Sequence, residues 1–185
     1  MPDSETASWV ALQKALDAGD IAGLRRAVRE LDEKGQEILA QRLGHEQTER
    51  LVRSARRGRE TARLGFGGRV VVVHGIMGAR LDVVEPNGAS DRVWVNIWRL
   101  FNGRIADLEL VDGARPRDPA KRVRVAGMLA EYLPLVLELD GRWKVRPFAY
   151  DWRLDIDDSA KLLAETIRLW SNGEPCHIVA HSMGG

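Results

Sequence analysis

A chain of 185 residues with 44% hydrophobic content is long enough for one domain, or for one domain plus a helical appendage, and this excludes disorder throughout. Its 28 lysines and arginines stand against 27 acids, and a net charge of +1 gives no global reason to expect nucleic acid as a partner. The single cysteine, Cys176, excludes an internal disulfide and a multi-cysteine metal site, and its apolar setting in Cys176-His177-Ile178-Val179-Ala180 predicts a buried packing thiol.

Residues 1–20 show no basic segment followed by an apolar one, and no long apolar run occurs later, so the expected location is cytoplasmic. Trp9, Val10, Leu12 and Leu16 recur at helical spacing up to Gly19. Asp20 is placed to cap a second helix, whose stripe of Leu24, Val28, Leu31, Ile38, Leu39 and Leu43 runs on to Gly44. A third helix is expected from His45 to about Arg63. It carries Arg50, Arg53, Arg56, Arg57, Arg59 and Arg63, opposed by little but Glu60: a solvated face, or a weak contact with an anionic membrane surface. Residues 1–65 thus read as a small helical segment, closed by the cluster Gly65-Phe66-Gly67-Gly68.

Residues 66–185 alternate strands with helices, the grammar of an α/β fold. Arg69 to His74 is a β-branched run fit for a parallel strand covered on both faces. Helices are expected around Arg92–Phe101 and Val125–Leu139, the latter kinked or broken at Pro134. Lys144 to Tyr150 is a second strand, Ser159 to Trp170 an amphipathic helix capped by Asp157 or Asp158 and stopped by Gly173, and His177 to His181 a third strand. A strand, helix, strand order implies a right-handed parallel crossover.

Chemistry concentrates where two of these strands end. Ala180-His181-Ser182-Met183-Gly184 follows the third strand, and a serine on a sharp strand-to-helix turn needs small residues two positions away on each side. Ser182 is the expected nucleophile, with the Met183 N–H as one oxyanion donor. The second donor in such a site comes from the loop after an earlier strand, here Gly75-Ile76-Met77-Gly78, and the Ile76 N–H is the candidate. The alternatives are an N-cap role for Ser182 and a phosphate loop at Gly75–Gly78, though no GK[ST] follows the latter. His74 and His181 are expected to orient or pack rather than act as base, because in this fold the order along the chain is serine, acid, histidine.

With these residues in place, the chain from about Arg69 resembles the lecithin:cholesterol acyltransferase family. The pieces that carry the likeness are Val72 to Gly78, Val93-Trp94-Val95-Asn96-Ile97-Trp98, Pro147 to Arg153, and the Ser182 elbow. The resemblance implies an α/β-hydrolase fold, truncated after the elbow, in which Ser182 takes an acyl group from a lipid ester and passes it to water or an alcohol. Ile76 and Met183 would hold the oxyanion, with the acid and histidine expected beyond Gly185, and no metal or organic cofactor is called for. His74, Gly75, Met77, Trp98, Asp151, Trp152, Arg153 and His181 are possible pocket residues. For Asp151-Trp152-Arg153 the competing reading is a structural ion pair with Trp152 in the core. A non-lipid esterase, amidase or thioesterase on the same scaffold, and a catalytically inactive interaction module, are the rival functions.

Overall fold

The structure is a computed structural model that describes residues 4–57, 67–94 and 102–185, with side chains from Trp9 onward. It is a mixed fold in which helices accompany a parallel sheet of three strands. Its contacts divide the chain into two compact units, Met1–Val72 with Leu129–Pro147 and Glu174–Val179, and Val73–Met128 with Phe148–Gly173 and Ala180–Gly185.

The first unit opens with α1 (Ser4–Asp17), α2 (Ile21–Arg29), α3 (Glu33–Leu43) and α4 (His45–Arg57). The stripe from Leu24 to Leu43 is therefore two helices and not one. Asp32 breaks it, because its carboxylate accepts from the Gly35 N–H at 2.8 Å and starts a new helix, as Asp20 does for Gly23 at 2.8 Å. Leu12, Leu16, Leu24, Val28, Leu39 and Leu51 form the buried side of these helices. On the basic surface of α4, Arg50 pairs with Glu46 and Arg53 reaches toward Glu49, each one turn back, so that face is more balanced than its arginines suggest. Arg59, Arg63 and Glu60 lie outside the described residues.

Helix α5 (Leu133–Asp140) belongs to the same unit and packs on α4 and α2. Pro134 sits in its first turn, where a missing N–H costs nothing, so it begins the helix instead of kinking one. Of the expected helix over 125–139 only the part from Leu133 forms, because its beginning belongs to strand β6 (Arg122–Met128). Arg25 joins these helices. Its guanidinium donates to Asp140 Oδ2 at 2.8 Å and to the carbonyls of Ser54, at 2.5 Å, and Leu137, at 3.1 Å, which satisfies the last turns of two helices.

The parallel sheet comprises β1 (Arg69–Val73), β7 (Lys144–Phe148) and β8 (Cys176–Ala180) in the order β7-β1-β8. The Lys144 N–H donates to Gly68 O at the start of β1 and the His181 N–H to Val73 O at its end, so all three strands run the same way. Val70 to Val73 are buried, as the apolar run predicted. Cys176 is only half-buried, contrary to the expectation, because β8 ends the sheet order and has a strand on one side only among the described residues. Burial of its sulfur still pushes the thiol pKa up.

The second unit is built on an antiparallel sheet, β3-β2-β6, from β2 (Ala79–Val84), β3 (Ser90–Trp94) and β6 (Arg122–Met128). Arg92 to Trp94 is thus strand where a helix was expected, and Trp98 and the rest of that segment up to 101 lie outside the described residues. Leu81 and Val83 alternate inward on β2 and pack with Val93, Leu108, Trp94, Val123, Val125 and Trp152. A short hairpin pairs β4 (Leu110–Val111) with β5 (Arg115–Pro116). Helix α6 (Ile156–Ser171) is capped by Asp155, whose carboxylate accepts from the Asp157 N–H at 2.7 Å, and it ends on Asn172 in the left-handed region. Both caps differ by one or more residues from the expected Asp157 or Asp158 and Gly173. No helix among the described residues is long and apolar enough to cross a membrane.

Candidate functional site

Parallel neighbours end at the same edge of a sheet, so the residues that follow β1 and β8 meet. The His181 N–H donates to Val73 O at 3.0 Å, which ties the start of one bend to the start of the other. His181 keeps extended backbone, and Ser182 then turns to φ 53°, a left-handed conformation that costs a non-glycine residue about 1 kcal/mol or more. The hydroxyl-bearing residue is exposed on this bend. A single 3₁₀ turn, Ser182–Gly184, follows, with the Gly184 N–H on His181 O at 3.0 Å.

The facing turn is Gly75–Gly78, closed by the Gly78 N–H on Gly75 O at 3.1 Å. Met77 occupies its third position at φ 61°, where a type II turn favours glycine. Ile76 and Met77 stand at the corners, about half exposed. Among the described residues neither the Ile76 N–H nor the Met183 N–H has an acceptor within the protein.

Close approach explains three glycines. A Cβ on Gly75 would lie 2.9 Å from Ser182 Cβ and 3.0 Å from His181 O, so any side chain there would separate the two bends. One on Gly184 would lie 2.5 Å from His74 O, and one on Gly78 2.7 Å from His74 Cβ and 2.8 Å from its Nδ1. Bare backbone at all three positions lets both bends close around His74.

His74 is fully buried, and both ring nitrogens are engaged: Nδ1 with Gly75 O at 2.7 Å and Nε2 with the Tyr150 N–H at 3.1 Å. Burial holds its pKa below the ordinary imidazole value, so it is neutral at physiological pH. Tyr150 was missed by the sequence reading. Its position at the end of the strand run Phe148-Ala149-Tyr150 was the one available signal.

The remaining candidates divide. Trp94 donates its indole N–H to Met77 O at 3.0 Å and meets the Trp152 ring edge-on at 5.6 Å, and Trp152 donates to Ala79 O at 3.2 Å. Trp94 thereby braces the turn that holds Ile76. Asp151 and Arg153 form a closed pair, Nε to Oδ1 at 2.8 Å and Nη2 to Oδ2 at 2.5 Å, with the third guanidinium nitrogen on Leu108 O at 2.7 Å. With side chains 8% and 10% exposed they offer little to a ligand, and the structural ion pair is the arrangement observed. His181 is exposed, with Nδ1 beside Gly75.

No protein-family model and no solved structure matches this chain. In a match 133 residues long that covers 64% of this chain, it is 31% identical to the uncharacterized protein YJR098C of Saccharomyces cerevisiae. The chain spans about a fifth of the length of that relative, 20%. The likeness names no chemistry, so a functional reading rests on the residues at the two bends.

Proposed function

We propose that Ser182 is the nucleophile of an α/β-hydrolase-type lipid esterase or acyltransferase, related to the lecithin:cholesterol acyltransferase family. The observation that carries the reading is the strained backbone of Ser182 at an exposed bend pressed against Gly75. Strain of this kind persists only where surrounding structure enforces it, and it gathers at reactive sites. Three of the four family-like pieces, Val72 to Gly78, Pro147 to Arg153 and the Ser182 elbow, lie at the ends of parallel strands that finish at a common edge, which supports it further.

In this mechanism Ser182 Oγ forms a bond to the ester carbonyl carbon while its proton passes to a histidine base. The carbonyl π electrons move onto oxygen, where the N–H groups of Ile76 and Met183 receive the charge. Collapse breaks the ester C–O bond, and the departing alkoxide takes the proton from the histidine. Water or an acceptor alcohol then attacks the acyl-enzyme by the same steps in reverse. The acid and histidine come after Ser182 in chain order.

The test uses the complete protein as the cell makes it. Fluorophosphonate labelling at Ser182, lost in Ser182→Ala, is the expected result. A folded protein left unlabelled would instead favour an interaction module. Rates on p-nitrophenyl esters of increasing acyl length should rise with length, and activity confined to the shortest esters would move the assignment to a non-lipid esterase.

A further inference from the structure

We infer that His74 is a positioning residue of this site: by holding the Gly75 carbonyl oxygen, its ring sets the direction of the Ile76 N–H and so aims one oxyanion donor. The inference rests on the serine-nucleophile reading of Ser182. It assigns His74 a duty that is neither proton transfer nor filling of the core.

The Tyr150 backbone N–H points at Nε2 at 3.1 Å, and an N–H can be accepted there only by a bare lone pair. The one proton of the neutral ring is therefore on Nδ1, where it is donated to Gly75 O at 2.7 Å. The Gly78 N–H reaches the same oxygen at 3.1 Å, so the carbonyl is gripped from two sides. In a trans peptide the C=O and the following N–H point in opposite directions. Fixing Gly75 O thus fixes the Ile76 N–H, in the peptide that begins at the glycine facing Ser182.

His74 in turn has no freedom to swing. Tyr150 stacks on its face with centroids 4.2 Å apart and planes 8° from parallel, and the Tyr150 hydroxyl donates to His74 O at 3.1 Å. Gly78 lies against the ring so closely that a methyl group could not be added. The turn needs this support, because Met77 holds a left-handed backbone that it would otherwise relax. Trp94 restrains the far end through Met77 O, which leaves His74 to set the near end.

Two substitutions separate the ring's contacts. An asparagine amide can occupy the place of Nδ1–H and keep the Gly75 contact, whereas a glutamine side chain reaches the place of Nε2 and keeps the Tyr150 contact. In the complete protein, with p-nitrophenyl butyrate as probe, kcat of His74→Asn should stay within a few-fold of wild type. His74→Gln should lose about tenfold to a hundredfold in kcat with KM little changed, the cost of a misaimed group. Equal losses in both variants, in step with their thermal midpoints, or no loss in either, would overturn the inference. Wild type labelled by fluorophosphonate at Ser182 together with an unaffected His74→Gln sinks the positioning role alone; an unlabelled wild type sinks the nucleophile reading and the inference together. Should both variants fail to fold, ¹⁵N-histidine spectra of the wild-type protein decide. They should show His74 protonated on Nδ1 and bare on Nε2, and the opposite tautomer would remove the premise.

Discussion

His74 and Tyr150 are joined three times over: the rings stack at 4.2 Å, the Tyr150 N–H donates to the imidazole, and the Tyr150 hydroxyl donates to the His74 carbonyl. His74 follows β1, just before the Gly75–Gly78 turn, and Tyr150 follows the neighbouring strand β7. A polar ring in a fully buried place is tolerable because each of its nitrogens has a partner. That arrangement has consequences for pH, packing and strain.

Stability should depend on pH through His74. Its native pKa is lowered from 6.5 by burial, so as pH falls through that value the unfolded chain takes up a proton that the native ring still refuses. The contribution is fully present above about pH 6.5 and is lost on acidification, until pH reaches the lower native value. Urea unfolding between about pH 8 and about pH 5 should show a steeper decline for wild type than for His74→Asn. Parallel curves would count against a neutral buried imidazole.

Gly184→Ala should destabilise by about 1–3 kcal/mol, because the added methyl meets His74 O at 2.5 Å and backbone cannot step aside cheaply. Fluorophosphonate labelling should fall with it, since the displaced segment carries Ser182. The checks are denaturant midpoints and labelling rates; an unchanged midpoint would mean that the two bends are not in contact.

Ser182→Gly should abolish labelling and yet raise stability by about 1 kcal/mol, as glycine enters the left-handed region without a Cβ clash. Thermal melts of the two proteins decide the matter. A variant less stable than wild type would show that the bend holds little strain.

Asp140→Ala should cost about 3–5 kcal/mol, leaving the buried Arg25 guanidinium without its carboxylate. Replacing the pair together, as Arg25→Met with Asp140→Leu, should cost less than Asp140→Ala alone. Urea unfolding of wild type and these two variants provides the comparison, and a double replacement at least as costly as Asp140→Ala would argue against a coupled pair.

Much of the fold was legible where one local signal dominated. The valine run of β1 could only be a covered strand, and the elbow's small residues marked the bend at Ser182. The stretches 92–94 and 125–128 were expected as helix and are strand, in the second case because the alternation of Arg122-Val123-Arg124-Val125 is short and soon gives way to a genuine helix. Period two and period 3.6 cannot be told apart over so few residues. At 30–32 the apolar stripe hid a helix boundary that Asp32 could have revealed as a cap.

The sequence by itself determined the chemistry on offer: a serine between small residues, glycines in the facing turn, and a histidine before them. Only the tertiary structure decided how these combine. It placed β1 between β7 and β8, so that Gly75 meets Ser182, and Tyr150, just past the end of β7, stacks on His74 and donates its N–H to the imidazole. The reason is physical. Residue identity limits which groups can react, but strand order and hydrogen-bond partners, contacts between residues distant in the chain, fix which way those groups point.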